Sequence, residues 1–240
     1  MRFGGFAAVD DVSLGVQMQQ IRAVIGPNGA GKSTLFSCLA GTLVPTAGRI
    51  HLDDTDITTL PVAGRARLGL VKSFQTTTVF PRMTVGENVA AAAIAVVGWS
   101  LADIVRLPGS RSDVAQRVTE TLVEVNLIDR QDVAAEQLSH GQQRRLELGI
   151  ALASGAKFLL LDEPTAGMGI DDIKDFKALI LRLRERCGIL LVEHNMDVVL
   201  GLSDRITVMA QGRMIFEGTP DEVRRDPDVR NAYLGRQHSC

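Results

Sequence analysis

One stretch of the sequence combines the residue types that hold a phosphate group. It reads Gly26-Pro27-Asn28-Gly29-Ala30-Gly31-Lys32-Ser33-Thr34 and fits the pattern G-x-x-x-x-G-K-[ST]. Glycines let the backbone curl until successive N–H groups point at one anion. In this pattern the lysine reaches the β- and γ-phosphates of a nucleotide, and the following hydroxyl binds Mg²⁺. We therefore expect Lys32 and Ser33 to take these two roles.

The residues around this stretch follow the order that a phosphate-binding loop requires. Residues 21–25 are mostly apolar and predict a buried strand, whereas residues 35–40 predict a helix that ends at Gly41. The start of that helix adds the positive end of its dipole to the site. The alternative is a glycine-rich turn with a chance Lys-Ser pair, which does not account for strand, loop and helix in this order.

Charged side chains follow two further apolar segments. Residues 158–161 predict a buried strand that ends at Asp162 and Glu163, and residues 189–192 predict another that ends at Glu193 and His194. Open α/β sheets place their chemistry at the carboxyl ends of the strands. We expect Asp162 to organise Mg²⁺, Glu163 to be the base that orients an attacking water, and His194 to contact a γ-phosphate. A lone histidine at a strand end is more often structural, but the acidic pair and the phosphate loop favour the functional interpretation.

Two more segments carry polar groups that could reach a nucleotide. Residues 68–74 have strand-like side chains and end at Gln75. Ser139 and Gln142 have capping-box spacing and predict the start of a helix, whose unpaired N–H groups form a second potential anion site.

Composition limits the function classes. The chain has 240 residues, 45% of them apolar, and Lys+Arg 26 against Asp+Glu 28 gives a formal net charge of −2. The length and the apolar content predict one large domain with a substantial core. The net charge does not provide the excess of positive charge that is typical of nucleic-acid-binding proteins. Cys38, Cys187 and Cys240 are scattered and fit a reduced, cytosolic setting. The longest apolar run, residues 89–97, is far shorter than the roughly 20 residues that cross a bilayer.

The pattern of the chain changes twice. Residues 76–137 appear helical, with a capping box at Thr84 and Glu87, whereas residues 1–75 and 138–240 appear α/β. Within the α/β parts, residues 12–18 alternate and predict a strand, and residues 206–216 predict a hairpin around Gln211 and Gly212. The acidic residues 53–56 lack the glycine and distant glutamate of a calcium loop and predict a solvated turn.

Together these motifs resemble those of the nucleotide-binding subunits of ATP-binding-cassette (ABC) proteins, over nearly the whole chain. Residues 26–34 match Walker A, Gln75 the Q-loop glutamine, residues 138–142 the LSGGQ signature, residues 158–163 Walker B with its glutamate, and His194 the switch histidine. The resemblance implies an α/β P-loop NTPase (RecA-like) core with an antiparallel β subdomain and an inserted α-helical subdomain. It also implies ATP hydrolysis with Mg²⁺, coupled to transport across a membrane.

The same resemblance assigns residues to the nucleotide. Phe3 lies where the family has an adenine-stacking aromatic, and an aromatic beside two glycines is otherwise more often a packed turn. Gln75 would join Ser33 and Asp162 around Mg²⁺. Across a head-to-tail dimer, the ATP of one subunit would meet the signature residues of the other, here Ser139, His140, Gly141 and Gln142.

A narrower resemblance is to the ATP-binding subunit of branched-chain amino-acid importers. It rests on Phe3-Gly4-Gly5, on residues 83–88, 141–147 and 193–196, and on the tail at 218–223 and 232–235. This implies transmembrane permease subunits, a second ABC ATPase subunit, an extracellular or periplasmic binding protein acting indirectly, and a peripheral place on the cytoplasmic face of the inner membrane. Urea or amide importers and the lipopolysaccharide-export ATPase are the alternatives within the superfamily.

Three departures from the family pattern carry expectations. Only Met1 and Arg2 precede Phe3, so either the start is late or the first strand is missing. His140 replaces the usual second glycine of the signature and keeps its backbone N–H. Gly169 stands where the D-loop has Asp or Asn, which favours pairing with a different cassette over a homodimer.

Two other classes of protein fit less well. A soluble ABC ATPase acting on DNA or ribosomes would add long coiled coils or a second cassette, together with a basic patch. A P-loop kinase or GTPase outside the ABC family would not account for residues 139–142.

Overall fold

A six-stranded sheet lies at the centre of the chain in the computed structural model, which describes residues 1–73, 79–97 and 108–227, without the side chains of 96, 97 and 108–112. The strands are β1 (Arg2–Phe3), β2 (Phe6–Ala7), β3 (Ile21–Ile25), β4 (His51–Leu52), β5 (Thr55–Asp56), β6 (Leu70–Ser73), β7 (Phe158–Asp162), β8 (Gly188–Val192), β9 (Arg205–Ala210) and β10 (Arg213–Gly218). The helices are α1 (Lys32–Ala40), α2 (Val62–Arg67), α3 (Val85–Val97), α4 (Pro108–Glu124), α5 (His140–Ala153), α6 (Ile170–Arg184), α7 (Met196–Leu202) and α8 (Pro220–Arg225), with 3₁₀ turns at Ile128–Arg130 and Ala135–Gln137.

The large sheet has the strand order β10-β9-β3-β8-β7-β6. Only the β9–β10 pair is antiparallel, and the pairs joining β9, β3, β8, β7 and β6 are parallel. The carboxyl ends of β3, β6, β7 and β8 therefore meet at one edge. The phosphate loop, the acidic pair and the switch histidine follow three of these strands, so the topology alone brings them to the same edge.

Apolar side chains cover both faces of the sheet, as a parallel sheet requires. Alternation along β7 places Leu159 and Leu161 in one core cluster and Leu160 in another. The first cluster contains buried residues of α3, α4, α5 and α6, and the second contains Leu35 and Phe36 of α1. A third, smaller cluster joins β3 and β9 to α7 and α8.

Helices fill the described part of the chain between β6 and α5. Helices α3, α4 and α5 contact one another, and the capping box at the start of α3 forms as predicted, with Thr84 N–H donating to Glu87 Oε2 at 2.7 Å and Glu87 N–H to Thr84 Oγ1 at 3.1 Å. Residues 108–110 begin α4, and proline is tolerated in a first helical turn. The proposed boundaries at 75/76 and 137/138 stay a prediction.

The predicted strand at residues 12–18 is wrong. Val12, Leu14 and Val16 do alternate in burial and pack on the α1 side of the core, but the segment forms no ladder with any described strand. Residues 53–56 form the turn and the second strand of the β4–β5 hairpin, which agrees with the predicted solvated turn. The predicted hairpin around Gln211 and Gly212 is confirmed by the β9–β10 register. No helix within the described ranges is long and apolar enough to cross a membrane.

Candidate active site

The phosphate loop joins β3 to α1 by a tight path that two glycines permit. Gly26 and Gly31 have φ of 152° and 98°, and a Cβ atom at either would collide with a carbonyl oxygen, of Met209 and Ala8 respectively. Lys32 folds back over the loop, and its Nζ donates to the carbonyls of Gly26 at 2.7 Å and Pro27 at 3.0 Å. Burial lowers the pKa of Lys32, and the charges of Glu163 and Asp162 oppose that shift. An ammonium has three donors, so the side chain can still turn one toward a phosphate oxygen.

A cavity of about 280 Å³ opens above this loop. Its lining consists of Phe6, Ala8, Asn28, Gly29, Ala30, Gly31, Lys32, Ser33, Thr34, Glu163 and His194. The structure thus brings together the predicted lysine, hydroxyl, base and histidine. Phe6 lines this cavity, whereas Phe3 lies on β1 outside it with about half of its surface exposed. Phe6 belongs to the same Phe-Gly-Gly-Phe turn, and this pattern did not indicate which of the two aromatics faces the loop.

The two carboxylates after β7 have different surroundings. Asp162 is 3% exposed; Lys72 Nζ lies 3.1 Å from its Oδ2, and its Oδ1 has no hydrogen-bond partner within the described part of the chain. Glu163 is more open and has φ of 49°, a conformation that non-glycine residues seldom adopt. Strain of this kind, of order 1–3 kcal/mol, persists where the surrounding structure imposes it, often at active sites.

Glu163 and His194 contact each other directly. Glu163 Oε1 lies 2.7 Å from His194 Nε2, and the Glu163 N–H donates to the Val192 carbonyl at 2.8 Å. An ionised carboxylate only accepts hydrogen bonds, so Nε2 carries the hydrogen in this pair. The histidine therefore fixes one oxygen of the predicted base and leaves the other for a water molecule.

A buried glutamate that the sequence did not single out holds this arrangement. Glu193 is 3% exposed, and its Oε1 accepts from the N–H of Thr165 at 2.9 Å and from the Thr165 hydroxyl. Its Oε2 accepts from the N–H groups of His194 at 2.9 Å and Asn195 at 3.2 Å. The carboxylate thus ties the turn after Glu163 to the segment that carries His194. The sequence signal that could have identified Glu193 is a charged residue next to His194 at the end of an apolar strand.

The predicted signature segment lies elsewhere. The capping box forms, with Gln142 N–H donating to Ser139 Oγ at 3.3 Å and Ser139 N–H to Gln142 Oε1 at 3.0 Å. His140 lies beside Gly167, and Gly141 lies against the Asp172 carboxylate. None of Ser139, His140, Gly141 and Gln142 lines the cavity of its own phosphate loop. Gln75 falls outside the described residues.

The residues present suit a magnesium ion held with phosphates. No group of three or more His, Cys, Asp or Glu side chains forms a metal cage in the ranges that the structure describes. Mg²⁺ bound with a nucleotide needs only one or two carboxylates, because phosphates and waters supply the other ligands. The buried, unpartnered Oδ1 of Asp162 is the kind of oxygen such an ion takes, and Ser33 offers a hydroxyl from the loop.

Residues 9–166 match the sequence pattern of the family described as "ABC transporter". The chain belongs to this family. It is an ATPase of the ABC class, and the predicted fold class is confirmed. A solved ABC-transporter cassette in its ADP conformation superimposes with a TM-score of 0.85 and 33% identity, covering 98% of this chain and 96% of the other.

Two curated relatives bear on the kind of ABC transporter. The high-affinity branched-chain amino acid transport ATP-binding protein BraF of Pseudomonas aeruginosa is 42% identical over 98% of this chain and 94% of its own length. The lipopolysaccharide export ATP-binding protein LptB of Escherichia coli is 36% identical over 97% and 93%. Residues 213–239 match a second pattern, described as "Branched-chain amino acid ATP-binding cassette transporter". The predicted resemblance to the branched-chain amino-acid importer subunit is confirmed.

Proposed function

We propose that this cassette powers the import of branched-chain amino acids by hydrolysing Mg²⁺-ATP at the inner face of a membrane. The observation that carries the choice of cargo is the match of residues 213–239 to the branched-chain amino acid cassette pattern, in addition to the general ABC match. Lipopolysaccharide export is the second candidate, supported by the 36% identity with the export ATPase.

In the proposed reaction the loop residues hold the nucleotide. Lys32 gives an N–H to the β- and γ-phosphate oxygens, and the backbone N–H groups of residues 28–34 surround them. Ser33, Asp162 and Gln75 are the residues that would hold Mg²⁺, which when bound neutralises charge on the phosphates. Phe3 is the proposed adenine-stacking residue, although Phe6 is the aromatic nearer the loop.

Glu163 acts on the water in this proposal. Its free carboxylate oxygen accepts a hydrogen bond from the water, directs an oxygen lone pair at the γ-phosphorus and takes up the proton. As the new P–O bond forms, the bond from the γ-phosphorus to the oxygen that bridges to the β-phosphate breaks, and ADP leaves. His194 keeps the other oxygen in place through the 2.7 Å contact. Because Glu163 is held by both its own backbone and His194, little reorganisation is needed when a water molecule from solution is brought into line with the γ-phosphorus.

A second cassette completes the site. Ser139, His140, Gly141 and Gln142 start α5 away from their own phosphate loop. The capping box uses the N–H groups of Ser139 and Gln142, which leaves the N–H groups of His140 and Gly141 and the hydroxyl hydrogen of Ser139 for the nucleotide of a partner. Gly169 offers no side chain at the D-loop position, which favours a distinct partner cassette over a homodimer. Sedimentation of Glu163→Gln with ATP tests this choice: a tight homodimer that Gly169→Asp does not tighten would refute it.

The permease is proposed to dock beside residues 76–85. Phe80 is 58% exposed there. Asn88, which is buried, accepts from Phe80 N–H at 2.8 Å and donates to the carbonyls of Phe80 at 3.1 Å and Thr84 at 2.9 Å. This amide therefore fixes a turn that presents an apolar ring to solvent, the kind of contact a transmembrane partner can bury.

Reconstitution tests the proposed function. The chain would be purified with the membrane proteins that it binds, inserted into vesicles, and assayed for ATP-dependent uptake of radiolabelled leucine supplied with its binding protein. We expect uptake that Glu163→Gln abolishes. ATP-driven release of lipopolysaccharide without leucine uptake would favour the second candidate and contradict the first.

A further inference from the structure

Lys72 is placed to act on the metal site through Asp162. In the parallel β6–β7 pair Lys72 lies opposite Leu160, so its side chain is on the sheet face that also carries Asp162. Asp162 is two residues further along β7, roughly 7 Å at about 3.3 Å per residue, a distance that a lysine side chain can span. The ammonium reaches it, with Nζ 3.1 Å from Oδ2.

Burial strengthens the interaction between the charges of Lys72 and Asp162. The side chains are 14% and 3% exposed, so water screens their charges poorly. The carboxylate has one oxygen engaged by Lys72 and the other, Oδ1, without a partner within the described residues. The pair is close to neutral as a whole, and a neutral pair attracts a divalent cation much less than a bare buried carboxylate does.

We propose that Lys72 is the resident counter-ion of Asp162 and makes metal binding conditional on the nucleotide. The lysine orients Asp162, while its own positive charge opposes Mg²⁺ until phosphate oxygens supply further negative charge. This inference rests on the proposed role of Asp162 as a magnesium ligand.

The test is a titration of the purified protein with Mn²⁺, followed by electron paramagnetic resonance of the free ion without nucleotide. An adjacent unit charge changes the affinity of a carboxylate for a proton by about tenfold to a thousandfold, and a divalent ion carries twice the charge of a proton. We expect Lys72→Met to bind Mn²⁺ at least about tenfold more tightly than the wild type, and Lys72→Arg to match the wild type. Lys157→Met, an exposed lysine just before β7, controls for net charge and should change nothing.

Further measurements separate the outcomes. If Lys72→Met does not fold, Lys72→Gln removes the charge but keeps a donor for Asp162, and it should show the same tighter binding. Mn²⁺ should also raise the melting temperature of Lys72→Met more than that of the wild type. Equal affinity in wild type and both uncharged variants would overturn the role of Lys72. If Asp162→Asn leaves Mn²⁺ binding unchanged with an ATP analogue present, the proposed metal role of Asp162 itself fails.

Discussion

The buried Glu193 gives the sharpest prediction about how the site is held together. Its two oxygens accept four hydrogen bonds, two from Thr165 and one each from the backbone of His194 and Asn195. Glu193→Gln keeps the shape but turns an NH₂ group toward two of these donors. At about 1.5–3 kcal/mol for each hydrogen bond to a charged group, losing two bonds lowers the free energy of unfolding by about 3–6 kcal/mol.

Urea denaturation of wild type and variant measures this loss. Glu185→Gln is the matched control, because Glu185 is exposed and its replacement should change the free energy of unfolding by no more than about 0.5 kcal/mol. Thr165→Ala removes one of the four bonds and should give an intermediate loss. A Glu193→Gln variant within about 1 kcal/mol of wild type would refute the view that this carboxylate holds the two segments together.

Loss of the Glu193 bonds should also reach the chemistry. The turn at Thr165 follows Glu163 closely, and His194 contacts Glu163 directly. We expect Glu193→Gln to lower kcat for ATP hydrolysis more than it raises KM, since the phosphate loop lies on a different segment. A rise in KM with kcat unchanged would instead indicate weaker nucleotide binding and would contradict this expectation.

Three more predictions concern stability and docking. Arg65 is fully buried and donates hydrogen bonds to the carbonyls of Leu60, Cys38, Leu39 and Thr58. Arg65→Met should therefore lower the free energy of unfolding by at least about 3 kcal/mol. Arg67→Met, at an exposed position, should not lower it. Hydrogen bonding to Arg22, then to Arg205, lowers the pKa of Glu217 from its ordinary 4.5, so its stabilisation is present above that value and is lost as pH falls through the lower folded pKa. The gap in unfolding free energy between wild type and Glu217→Gln should therefore be constant well above pH 4.5 and should close as the pH falls below that value, and a gap that stays constant in acid would contradict this. Phe80→Glu should abolish binding to permease-containing membranes while ATP binding persists, and Val44→Glu, at an equally exposed site, should have no effect on recruitment.

Structural features that depend on residues close together in the sequence could be predicted from local sequence patterns. The capping boxes at Thr84 and Ser139 form as predicted, because each involves residues three apart. The same holds for the strand at residues 21–25 and the glycine that ends α1, where the backbone of Gly41 has φ of 85°. Mostly apolar strands followed by charged residues indicated an α/β sheet with its site at the carboxyl ends of the strands, and the sheet has that form.

Pairings between distant segments were not predictable in this way. Burial does alternate along residues 12–16, as the sequence pattern predicts. A strand also needs a neighbouring strand to pair with, and the spacing of residues within one segment gives no information about that neighbour. Lys72 meets Asp162 across 90 positions, and Glu193 meets Thr165 across 28. Both contacts depend on the register of adjacent strands, because a one-residue slip in that register would turn the side chains to the other face of the sheet.

The proposed role of Glu163 is that of the general base in ATP hydrolysis, with the nucleotide bound by Lys32. It is tested most directly by comparing Glu163→Gln and wild type for steady-state Mg²⁺-dependent ATP hydrolysis in the reconstituted complex, with nucleotide binding measured on the same samples. We expect the variant to bind ATP as tightly as wild type and to hydrolyse it at least about a hundredfold more slowly, as removal of a general base requires. Hydrolysis at the wild-type rate by Glu163→Gln would contradict the account.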